Sequence, residues 1–94
     1  MALARVVSFE DVSKDRMEQM SQEMQQGQPP EGMPSAEVIV LNDPEAEQSL
    51  AIVIFDNEED YQRGDEILGA MPADQTPGRR TSVKKYEVGV RMKS

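Results

Sequence analysis

The chain has 94 residues and a mass of 10.5 kDa, with a net charge of -8 from 10 basic and 18 acidic residues and a 37% apolar content, enough for one domain with a modest core. It contains no cysteine and no histidine, which excludes disulfides, thiol nucleophiles, Ser-His-Asp and Cys-His catalysis, and zinc or haem held by histidine. The acidic balance disfavours nucleic acid and anionic membrane as partners, no apolar run approaches the ~18 residues that span a bilayer, and the N-terminus lacks a secretory leader pattern; the expectation is a single cytoplasmic domain over residues 1–94 with no cofactor.

The first segment, LARVVSF from Leu3 to Phe9, is rich in β-branched and aromatic side chains and predicts a strand. Glu10 and Asp11 follow as adjacent carboxylates, which in a strand-to-helix turn read as polar surface rather than as an acid–base pair. Ser13 is a good helix N-cap, and Val12 before it can staple against Met17. Met17, Met20 and Met24 then recur at i, i+3 and i+7 on one stripe, and Gly27 is placed to end the helix in the left-handed conformation. Three prolines and two glycines make GQPPEGMP, Gly27 to Pro34, a loop. It does not cradle phosphate, because Met33 stands where a lysine is needed and Pro29 and Pro30 have no N–H to donate.

AEVIVL, Ala36 to Leu41, predicts a second strand, the polar stretch Asn42 to Gln48 a rather long turn, and SLAIVIF, Ser49 to Phe55, a third strand that completes a hairpin. Asp56 or Asn57 caps a second helix running to about Ala70, with Glu58, Glu59 and Asp60 in its first turn, where the helix dipole favours negative charge. Its start imitates a calcium loop, but Tyr61 occupies the position of the turning glycine. Tyr61, Leu68 and Met71 form the apolar face with Ile67 beside it, and Gly64 on that face predicts a close helix-to-sheet approach. MPADQTPG, Met71 to Gly78, is a loop. The last strand is expected over Arg79 to Met92, with Tyr86, Val88, Val90 and Met92 in one row and Lys85, Glu87 and Arg91 in the other. This stretch and the two residues after it hold Arg79, Arg80, Lys84, Lys85, Arg91 and Lys93 against Glu87 alone, so a basic terminal strand should lie on an acidic body.

Strand, helix, strand, strand, helix, strand is the split βαβ order of an α+β, ferredoxin-like βαββαβ domain. Right-handed crossovers then give a four-stranded antiparallel sheet of order 4-1-3-2 with both helices on one face. SLAIVIF is apolar on both sides, and the second side has no cover from the chain itself, which predicts a homodimer packed sheet to sheet.

In this strand pattern, in FDNEEDYQRGDEIL from Phe55 to Leu68 and in GRRTSVKKYEV from Gly78 to Val88, the chain resembles the dimeric α/β-barrel superfamily, which includes antibiotic-biosynthesis monooxygenases and small bacterial proteins. The resemblance covers nearly the whole chain. It implies a dimeric barrel with a pocket between each sheet and its helices and, in some members, cofactor-independent oxygenation of aromatic polyketides or haem degradation. The chain lacks tryptophan and the haem-holding histidine of such members. In a pocket of that kind Tyr61 and Tyr86 would orient a ligand, Phe9 and Phe55 would form walls, Met20 would give an adaptable lining, and Arg80 with Arg79 would anchor a carboxylate or phosphate at the mouth or pair across the dimer. Core packing is the competing role for the tyrosines and methionines. The favoured function is binding of an apolar or aromatic small molecule without catalysis. The alternatives are a cofactor-independent monooxygenase acting on an aromatic polyketide or quinol, and an accessory module for a larger enzyme.

Overall fold

A computed structural model describes residues 1–27, 32–70 and 78–92. Among them six elements follow in the order β1 (Leu3–Glu10), α1 (Lys14–Gln26), β2 (Ala36–Asp43), β3 (Gln48–Phe55), α2 (Glu58–Gly69) and β4 (Arg79–Glu87). The strands form one antiparallel sheet of order β2-β3-β1-β4, the expected 4-1-3-2 read from the other edge, and the arrangement is compatible with the ferredoxin-like fold. The two most apolar strand segments are thereby central.

Register assigns every side chain to a face, because residues paired across antiparallel strands share one. Leu3, Arg5, Val7 and Phe9 of β1 pair with Phe55, Val53, Ala51 and Ser49 of β3, and these eight face the helices. Ala4, Val6 and Ser8 pair with Ile54, Ile52 and Leu50 on the opposite, open face. The helix side holds two clusters. Under α2 lie Leu3, Val53, Phe55 and Tyr61, joined by Met33 and Leu68. Beside α1 lie Val7, Phe9, Val12 and Met17, joined by Ala51.

Local chemistry sets the helix ends. Ser13 Oγ accepts from the Arg16 N–H at 3.1 Å, and Val12 meets Met17 in the second cluster as the staple predicts. Asn57 rather than Asp56 caps α2, its Oδ1 accepting from the Asp60 N–H at 2.8 Å. Gly64 lies against the sheet as expected: a Cβ there would stand 2.2 Å from Phe55 Cζ.

Three expectations need correction. Gly27 ends α1 with φ -81°, not in the left-handed region; its value is smallness, since a Cβ would meet the Glu23 carbonyl oxygen at 2.7 Å. The hairpin connection is short, because β2 and β3 pair out to Asp43 and Gln48 and leave Pro44 to Glu47 to make the turn, Glu47 at φ 55°. β4 stops at Glu87 rather than Met92. Its neighbour runs out there: Glu87 pairs with Leu3, the first residue of β1, and Ala2 takes one further N–H from Val88. Beyond that point Arg91 reaches Glu37 on β2 as an ion pair, while Val90 and Met92 stay exposed. Of the expected apolar row, Tyr86 alone belongs to the strand. The loop residues Gln28 to Glu31 and Met71 to Pro77, and with them the place of Met71 on the α2 face, lie outside the described residues.

Candidate functional site

The sheet's helix side carries two cations in neighbouring strands. Arg5 on β1 and Lys85 on β4 are register partners, a like-charge juxtaposition that is unfavourable by itself. α2 resolves it with one face, on which Glu58, Tyr61 and Asp65 follow at i, i+3 and i+7. Asp65 Oδ1 accepts from Arg5 Nε at 2.8 Å, and Glu58 Oε1 accepts from Lys85 Nζ at 2.5 Å. Between the two pairs sits Tyr61, with Lys85 Nζ 4.8 Å from its ring centroid and Phe55 edge-on at 5.8 Å and 77°.

Burial makes these pairs unequal. The Arg5 side chain is 5% exposed and its partner Asp65 47%, so a buried cation depends on a half-exposed carboxylate. The Lys85 hydrogen bond holds the Glu58 carboxyl below the usual carboxylate range. Desolvation, followed by the charge of Asp65, pushes the Tyr61 phenol up. It therefore remains protonated at neutral pH, suited to donate a hydrogen bond and unsuited to remove a proton.

The expected site residues do not come together in one place. Phe55 and Tyr61 come together under α2, and Phe9 belongs to the cluster beside α1. Met20 is half-buried on α1. Tyr86 pairs with Ala4 and so lies on the open face, 51% exposed, across the sheet from Tyr61. Arg80 is exposed at the start of β4, whereas Arg79 pairs within its own chain, with Glu10 at 2.7 Å and Asp11 at 3.3 Å. The adjacent carboxylates thus hold an arginine, as polar surface does. Arg5, Asp65 and Lys85 were not singled out from sequence; the signal that would find them is two cations on one sheet face opposite carboxylates seven positions apart on a helix.

Apolar surface is left uncovered on both sides of β2. On the open face Leu41 is 49% and Leu50 36% exposed, beside Ile39 and the half-buried Ile52 and Val6. On the helix side Val38 is 48% and Val40 37% exposed, although their partners Val53 and Ala51 are packed in the clusters. A concavity of about 410 Å³ opens near the hairpin end of the open face, where Ser8, Glu10, Leu41, Asp43, Gln48 and Leu50 line it. A second, of about 270 Å³, lies at the other end between Glu37, Ile54, Asp56 and Arg91. No group of histidine, cysteine, aspartate or glutamate among the described residues has metal-binding geometry, and no helix among them is long and apolar enough to cross a membrane.

Compared with known proteins, the chain matches no family model and no curated protein.

Proposed function

We propose that the protein is a homodimeric barrel of the dimeric α/β class that binds an apolar or aromatic small molecule between sheet and helices without catalysing its conversion. The observation that carries this reading is the exposed apolar surface on both faces of β2. Four strands ~4.8 Å apart and eight residues long at ~3.3 Å each give the open face an outline of roughly 500 Å², of which Val6, Ile39, Leu41, Leu50 and Ile52 form the contiguous apolar part. A second copy packed on that face removes Ile39, Leu41, Leu50 and Ile52 from water together. The helix-side shelf of Val38 and Val40 is then the place for a ligand. α1 contributes matching surface, since Met20 and Met24 continue the stripe of Met17 beyond the part that the core buries. Tyr61, a protonated phenol braced by two ion pairs, stabilises α2 beside this layer. Its raised pKa gives no support to an oxygenase in which a tyrosine removes the substrate proton.

Native mass spectrometry of gently purified protein tests the ligand. A dimer carrying an additional small mass is expected, and Val40→Asp should keep the dimer and lose that mass. A ligand-free wild type, or an added mass that Val40→Asp retains, contradicts the reading.

A further inference from the structure

We infer that the outer edge of β2 is a docking site for an extended segment of another protein, one that begins with lysines or arginines, continues in β-branched residues and adds antiparallel to β2. The added strand lies in the plane of the sheet, so the inference does not rest on the homodimer proposed above. The two outer strands, β2 and β4, each leave one row of backbone groups without a strand partner among the described residues. Such rows invite pairing, and proteins guard them with cationic side chains, bulges or proline.

Only one of the two edges is guarded. β4 carries Arg79, Arg80, Lys84 and Lys85, and its register with β1 shifts between Ser8 and Phe9. β2 has no lysine, arginine or proline, and its whole length from Ala36 to Asp43 pairs with β3 without a shift. Its edge is also apolar on both sides. Val38 and Val40 on the helix side and Ile39 and Leu41 on the open side remain between 37% and 49% exposed. A cover laid on the open face reaches Ile39 and Leu41 alone, whereas a strand ~4.8 Å from β2 gives all four a cross-strand neighbour.

Charge sets the chemistry and the direction of the occupant. At the Ala36 end of β2, Arg91 pairs with Glu37. At the hairpin end Asp43, Glu45 and Glu47 follow closely and form no ion pair among the described residues. The occupant therefore needs cations beside the hairpin and apolar side chains opposite Val38 to Leu41. Antiparallel pairing makes the more stable ladder, and a strand antiparallel to β2 starts at the hairpin end, so its cations come first. The net charge of -8 steers a basic segment to this edge and opposes a further copy of the chain there. Main-chain hydrogen bonds supply the affinity of such a contact, and the side chains its selectivity.

The probe is a fluorescently labelled peptide, Lys-Arg-Lys-Thr-Val-Ile-Val-Thr, titrated with the full chain and followed by anisotropy. Saturable binding is expected, and the peptide of reversed order, with its cations last, should bind at least about tenfold more weakly. Two versions N-methylated at alternate residues, offset by one, test the ladder, since successive amides of a strand point to opposite edges. The version methylated on the amides that face β2 should lose binding, and the other should keep it. Glu45→Lys with Glu47→Lys should weaken binding roughly tenfold and reduce its salt dependence. No saturation up to about 100 μM protein, equal behaviour of the two methylated versions, equal affinity for the reversed peptide, or an unaffected double variant overturns the inference. Assembly of the protein beyond a dimer without peptide also overturns it, by identifying a second copy as the occupant of the edge. A monomeric chain that binds the probe contradicts the homodimer alone.

Discussion

Gly64→Ala is expected to lose about 2 kcal/mol of stability, although alanine is the better helix former by about 1 kcal/mol. The added methyl would stand 2.2 Å from Phe55 Cζ and 2.4 Å from Cε1, and Phe55 is fully buried, edge-on to Tyr61. The ring has nowhere to swing. Overpacking at such a site costs about 3 kcal/mol, and helix propensity offsets about a third of it. The two contributions separate in a double-mutant cycle. Phe55→Leu removes the ring atoms in question, so in that background Gly64→Ala should become neutral or stabilising by up to about 1 kcal/mol in urea denaturation. A Gly64→Ala protein as stable as its parent contradicts the close approach of α2 to β3.

Asp65→Ala is expected to cost about 2 kcal/mol by leaving the Arg5 guanidinium buried beside Lys85 without its carboxylate. Breaking a fully buried pair costs about 3–5 kcal/mol, and the half-exposure of Asp65 lets water take over part of its role. The asymmetry identifies the mechanism. Arg5→Met removes the charge with its desolvation penalty and should be close to neutral, and in the Asp65→Ala background it should recover most of the loss. Thermal unfolding of the four proteins decides it. An Arg5→Met change that fails to rescue Asp65→Ala shows that the loss has another origin.

The element order and strand order were legible because apolar strands and capped helices alternate in a sequence with clear punctuation. Ser13 and Gly64 announced their roles through residue chemistry, and the cap of α2 was narrowed to Asp56 or Asn57. What escaped depends on register. Tyr61 and Tyr86 looked like a pair, yet the pairing of Tyr86 with Ala4 turns it to the open face while Tyr61 lies under α2. Arg5 read as a polar interruption in LARVVSF, and its burial follows only once α2 brings Asp65 above β1. Likewise, the alternation through Met92 could not show that β1 begins at Leu3, so that the ladder of β4 ends at Glu87 with one further hydrogen bond from Val88 to Ala2. The short connection between β2 and β3 has the same origin: polar residues Asn42, Asp43 and Gln48 read as turn but belong to the ladder, with Asn42 accepting from Ser49 Oγ at 2.8 Å.

The central claim is that the open face of the sheet is covered by a second copy of the chain. Sedimentation equilibrium at micromolar concentration tests it most directly. A mass about twice the 10.5 kDa of the chain is predicted, and a single species of 10.5 kDa would contradict the account.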